Sequence, residues 1–152
     1  MSAVIEEVAR KLGGQSVLGQ DVRSQADLAK AVRRRLPLIA LKNLSQAGIT
    51  ESEIERFIIP LRTRRHRADK KQPLSIEESD RVVRLVRIQT VAEEAFEDRE
   101  KANVWLRRSL AELGGEMPLE FARTEAGARV IETILGEIAW GACTFPPPRP
   151  RC

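Results

Sequence analysis

The segment from Ser75 to Phe96 leaves the chain the least freedom. It opens with Ser75-Ile76-Glu77-Glu78, in which a serine and a glutamate three positions later can each satisfy the other's free amide at a helix start. Behind that cap, Val82, Leu85, Val86, Ile88, Val91, Ala92, Ala95 and Phe96 recur at helical spacing for about six turns. A stripe of that length needs apolar surface to pack on, and the rest of the chain offers it in helical form.

The same periodicity predicts a helix from Ala3 to Leu12, carrying Val4, Ile5 and Val8 and stopped by Gly13-Gly14. Ser24 caps a second helix through Arg34, and Pro37 interrupts the arginine run that follows. A third is expected from Pro37 to Ala47, with Leu38, Leu41 and Leu44 three apart and Gly48 as its C-cap. Thr50-Glu51-Ser52-Glu53 is another capping box, opening a helix to about Ile59. Beyond the long helix come Arg99 to Arg108, a short turn from Leu119 to Ala122, and a last helix capped by Thr124. Its Val130, Ile131, Ile134, Leu135 and Ile138 form a stripe that runs to Trp140 and stops at Gly141. The expected fold class is all-α.

Charge divides the chain. Residues 1–72 carry 15 Lys and Arg against 8 Asp and Glu, and residues 73–152 carry 11 against 14, so a +7 half joins a −3 half. The join falls at Ala68 to Pro73, where polar residues and a proline break the apolar period. Two domains are therefore expected, 1–72 and 73–141, followed by a flexible tail, 142–152.

In the basic half, a helix, a turn through Gly48-Ile49-Thr50 and a short capped helix outline a helix-turn-helix, whose second helix enters the major groove of DNA. An ordinary αα-corner has the same outline. The segment that follows, with Arg62, Arg64, Arg65, Arg67, Lys70 and Lys71, concentrates the charge that phosphates attract. With Thr50, Ser52, Arg56 and Thr63 these are the candidate DNA-binding residues. Glu51, Glu53 and Glu55 on the capped helix would have to turn away from phosphates.

Other classes find little support. The one histidine, His66, falls in the basic stretch, read as a loop, and Cys143 and Cys152 stand in the tail outside any zinc-ligand spacing, so no metal and no cofactor is expected. There is no Gly-rich phosphate loop, and the carboxylates Glu93-Glu94 and Glu97-Asp98 read as a solvated helix face rather than an acid/base pair. An enzyme is not expected. With no tyrosine and only Phe57, Phe96, Trp105, Phe121, Trp140 and Phe145, base stacking on single strands is poorly supplied. No run approaches the roughly 18 apolar residues of a membrane span and the first residues mix charge with apolar groups, so a cytoplasmic protein with reduced thiols is expected.

Several segments in order resemble one family. Leu74-Ser75-Ile76-Glu77-Glu78-Ser79-Asp80-Arg81-Val82, Val91-Ala92-Glu93-Glu94-Ala95-Phe96, Lys101 to Arg108, Leu113-Gly114-Gly115 with Pro118-Leu119, and Thr124-Glu125-Ala126-Gly127-Ala128 before Val130 closely resemble the C-terminal domain of the Xre/MbcA/ParS antitoxins. The match runs from Pro73 to Gly141. Gly48-Ile49 and Ile59-Pro60 with Arg62-Thr63 are similar to that family's Xre-like helix-turn-helix, although Arg64 stands where an apolar residue is expected.

The resemblance implies a partner: a RES-domain toxin that consumes NAD or transfers ADP-ribose, whose NAD pocket the antitoxin occludes with its C-terminal helix and chain end. It also implies repression of the shared operon through operator DNA, by a homodimer and a hetero-oligomer with the toxin. Carried over by position, the toxin-facing residues are Arg123, Thr124, Glu125, Arg129, Glu132, Glu137, Trp140 and Gly141. Read from the residues alone, Glu125 and Arg129 lie four apart on one helix and form a surface pair of about 0.2–0.5 kcal/mol. Trp140 is either a last core anchor or an interface residue. At Ala139-Trp140 the chain departs from the polar residue expected, and its tail is longer than in many relatives. A stand-alone helix-turn-helix regulator without a toxin is the rival reading.

Overall fold

The computed structural model describes Ser2–Gly141, and every regular element among these residues is a helix. The expectations for the tail, residues 142–152, and for Cys143 and Cys152 lie outside the described residues. Packing divides the chain into two compact units, one ending at Arg87 and the other starting at Ile88. The charge break at Gln72-Pro73 lies earlier, at a joint between helices within the first unit.

The first unit begins with α1 (Ser2–Leu12), which packs on α2 (Gln15–Leu18), α3 (Gln25–Arg33) and α4 (Ile39–Asn43). Val8 and Leu12 are fully buried. The end of α1 is closed by Gly13, whose φ of 123° few L side chains adopt, and by Asn43 Nδ2 donating to Leu12 O at 2.8 Å. Ser24 caps α3 by accepting from Asp27 N at 3.1 Å.

The expected helix from Pro37 to Ala47 is shorter, and the reason lies in its spacing. Leu41, Leu44 and Ala47 sit three apart, and the flanks of α4 tighten into three-residue bonds, Ala40 N to Pro37 O, Leu44 N to Leu41 O and Ala47 N to Leu44 O. At three residues per turn, positions i and i+3 eclipse, so all three side chains reach the core that an α-helix would have spread them around.

After α5 (Glu51–Phe57), the basic stretch read as a loop is a helix, α6 (Leu61–Asp69). It was hidden because it has no apolar period: none of its nine residues is buried. Arginine, leucine and alanine are good helix formers, and the end of α6 is well closed. Gln72 N donates to Arg67 O at 2.8 Å and Lys71 N to Ala68 O at 3.1 Å, with Lys71 left-handed at φ 55°.

The first turns of α7 (Ile76–Phe96) are stitched to this unit. Leu36 N donates to Ser79 Oγ at 2.8 Å, Leu74 N donates to Leu36 O, and Arg35 Nε donates to Leu74 O at 2.9 Å. The Ser75 capping box forms as expected, with Ser75 N and Glu78 Oε1 2.8 Å apart and Glu78 N and Ser75 Oγ 3.0 Å apart.

In the second unit the end of α7 is followed by α8 (Arg99–Leu106), a single 3₁₀ turn (Ala111–Leu113), α9 (Pro118–Phe121) and α10 (Glu125–Gly141). Asp98 caps α8 by accepting from Lys101 N, and the Phe96 and Trp105 rings lie 5.7 Å apart in a tilted arrangement. Ala128, Ile131 and Leu135 turn the inner face of α10 into core. Its start is pressed so close to α9 that a Cβ on Gly127 would fall 1.8 Å from Phe121 O. Gly127 N also donates to Thr124 Oγ1 at 3.0 Å, which makes Thr124-Glu125-Ala126-Gly127 a packing device as well as a cap.

Candidate functional site

Two surfaces carry the candidate residues, one in each unit. In the first, α5 and α6 are joined by Ile58-Ile59-Pro60, and Ile54, Ile58 and Ile59 are buried, which fixes the turn. Helix, three-residue turn and helix give this pair the outline of a helix-turn-helix, with α6 as its second element. The sequence outline takes in Pro37 to Ala47 and the helix after it, where seven residues separate α4 from α5.

The structure separates the DNA-binding candidates into groups. Thr50 is committed to the cap of α5, its hydroxyl accepting from Glu53 N and its amide donating to Glu53 Oε1 at 3.0 Å. Ser52 and Arg56 lie exposed on α5, with the Arg56 guanidinium 5.3 Å from the centre of the Phe57 ring. On α6, Arg62 and Arg65 are exposed and Thr63 is half-buried. Arg64 pairs with Glu51 at 2.8 Å, and Arg67 pairs with Glu78 through both guanidinium nitrogens, at 2.6 and 3.2 Å. Lys70 and Lys71 follow the helix and are exposed.

Lys42 is not among the residues that the sequence singles out. It lies with Arg64 and Lys71 around an open groove of about 520 Å³ whose apolar lining includes Ile39, Ala68 and Pro73. Nothing local in the sequence ties Lys42 to the basic stretch, because α4 and α6 meet only in the fold.

The second surface is the outer face of α10 together with Arg123 and Thr124, which precede it. Arg123, Thr124, Glu125, Arg129, Glu137 and Trp140 are exposed, and Glu132 and Gly141 are half-buried. Trp140 is 89% exposed, so it is not a core anchor. Val130, exposed on the same helix, adds an apolar position to that face. Glu125 and Arg129 form the surface contact that their spacing allows, at 3.8 Å and largely in solvent. A second concavity, about 460 Å³, lies where α8 meets the end of α7, with Phe96, Val104 and the half-buried Trp105 among its lining residues.

No helix among the described residues is long and apolar enough to cross a membrane. Residues 27–87 match the antitoxin Xre-like helix-turn-helix domain, and residues 91–141 match the antitoxin Xre/MbcA/ParS C-terminal toxin-binding domain. The two matches meet close to the division between the compact units. The chain is 35% identical to the antitoxin Xre of Pseudomonas putida over 66% of its own length and 64% of that protein, just under two thirds. It is 29% identical to the Prs ADP-ribosylating antitoxin of Sphingobium sp. over 74% of this chain and 86% of that protein. With the antitoxin Xre of Photorhabdus laumondii the identity is 32%, over 55% and 57% of the two chains. A helix-turn-helix unit followed by a toxin-binding domain is the plan of an antitoxin. The chain belongs to the Xre/MbcA/ParS antitoxin family.

Proposed function

We propose that this chain neutralises a RES-domain toxin that consumes NAD or transfers ADP-ribose, by covering the toxin's NAD pocket with α10 and the chain end. The chain acts by binding and carries out no reaction of its own. The observation that carries this reading is the division of labour on α10: Ala128, Ile131 and Leu135 anchor it, while Arg129, Glu137 and Trp140 are exposed on its other side. Arginine can pair bidentately with carboxylates, and an exposed tryptophan is a common interface anchor. The Sphingobium relative is named an ADP-ribosylating antitoxin, which ties a protein similar to this chain to ADP-ribose chemistry.

The helix-turn-helix of α5 and α6 then represses the operon that encodes the pair, as a homodimer on operator DNA. The exposed cations of α6 support that part of the reading. The test is co-expression with the protein encoded beside this chain, purification through a tag on that neighbour, and measurement of cellular NAD. The full chain is expected to co-purify and preserve NAD. Trp140→Ala combined with Arg129→Glu, both exposed and therefore compatible with folding, is expected to lose the complex and the protection. No complex and no effect on NAD would sink the toxin reading and leave a DNA-binding regulator.

A further inference from the structure

The cations of α6 are not equivalent. Arg64, with a side chain only 20% exposed, is held by Glu51, and Arg67, 18% exposed, is held by Glu78 and also donates to Pro73 O. Arg62 and Arg65 are exposed and have no side-chain partner among the described residues. His66 and Asp69 are exposed as well. At 3.6 residues per turn, positions 62, 65, 66 and 69 share one face of the helix, while 63, 64 and 67, all half-buried, share the opposite one. Two arginines therefore fasten the helix and two point away from the unit.

Asp69 sharpens what that outer face can meet. A carboxylate lying along the phosphate backbone would be repelled, whereas in the major groove it can accept from the cytosine N4 amino group. The N-terminal residues of the second helix of a helix-turn-helix are those that reach base edges, and Arg62 and Arg65 occupy the first two turns of α6. We propose that Arg62, Arg65 and Asp69 read G·C base pairs in the major groove of duplex DNA, the arginines donating to guanine O6 and N7 and Asp69 accepting from cytosine, while Arg64 and Arg67 only position the helix. Lys70, exposed just beyond the end of α6, suits a phosphate contact. The proposal rests on the DNA-binding reading of α5 and α6 given above.

The test uses the full chain and a duplex library randomised across one helical turn. Enrichment of bound sequences is followed by affinity measurements for an enriched and an unselected duplex over a range of salt. The wild-type chain is expected to enrich G·C pairs. Arg62→Ala and Arg65→Ala are each expected to weaken the enriched duplex about tenfold, to flatten preference at one or two positions, and to weaken the unselected duplex far less. Asp69→Asn is expected to relax the preference for cytosine. Lys70→Ala is expected to weaken both duplexes alike, with a shallower salt dependence. Duplex binding without any sequence preference would overturn the reading face and leave DNA binding standing. Preference unchanged in Arg62→Ala and Arg65→Ala but lost in Arg64→Ala would also overturn it, and failure to bind any duplex would overturn the DNA-binding reading with it.

Discussion

Helices α6 and α10 both offer candidate binding residues to solvent, yet they are held in opposite ways. Helix α10 has an apolar inner face, with Ala128, Ile131 and Leu135 buried and Gly127 in contact range of α9. Helix α6 has no fully buried residue and is held by two ion pairs, by its turn and by a closed C-terminus. A helix anchored by an apolar stripe can vary its outer face freely. One anchored by ion pairs must divide its charged residues between fastening and recognition.

That contrast predicts where stability resides. Ile131→Ala removes a fully buried side chain from the inner face of α10 and is expected to cost about 3 kcal/mol, since large-to-small core changes lose both transfer energy and packing. Chemical denaturation would show it as a lower midpoint at an unchanged slope. A loss below about 1 kcal/mol would mean that α10 is not held through this stripe.

Arg67→Ala should come next, at about 2 kcal/mol, because it strands Glu78, a nearly buried carboxylate that also closes the cap of α7. The pair is not wholly dry, which keeps the expected loss below that of a fully buried ion pair. Glu78→Gln, which keeps part of the hydrogen bonding, should lose less, and equal losses would assign the effect to charge alone. If α6 depends on this tether, Arg67→Ala should also weaken binding to every duplex without changing sequence preference.

The two anchoring modes explain what could be read from sequence. The stripes of α7 and α10 are periodic and local, and so are the caps at Ser24, Thr50, Ser75 and Thr124, all of which form. Helix α6 carries no such period, because its helicity rests on propensity and on a partner at Glu78, in the next helix. The pairing of Arg67 with Glu78 was concealed for a further reason: the capping box already gave Glu78 a role, and nothing in the pattern signals a second one. The three-residue spacing of Leu41, Leu44 and Ala47 is compatible with α and 3₁₀ geometry alike, and only the surrounding core selects the tighter form. Lys42 joins the basic surface through tertiary packing alone.

Arg64→Ala tests the weaker of the two tethers. Its partner, Glu51, is 66% exposed, so solvent screens the pair and the expected loss is below about 1 kcal/mol, falling further at high salt. A loss matching that of Arg67→Ala would put the main anchor of α6 at its N-terminal end instead.

Arg129→Ala should have the smallest effect on folding and is the sharpest test of the comparison. Arg129 is 77% exposed and meets Glu125 at 3.8 Å, so the pair contributes at most a few tenths of a kcal/mol, roughly the range of exposed pairs four apart on a helix. Thermal or chemical denaturation should barely distinguish the variant from the parent. Binding is a separate matter, because a guanidinium covered by a partner loses its screening water and its hydrogen bonds strengthen. If α10 is the toxin-facing helix, Arg129→Ala should leave stability unchanged and shorten the life of the toxin complex in a dissociation measurement. If the complex is equally long-lived in the variant, Arg129 is only half of a surface pair, and the recognition assigned to this face must come from Trp140 and the glutamates around it.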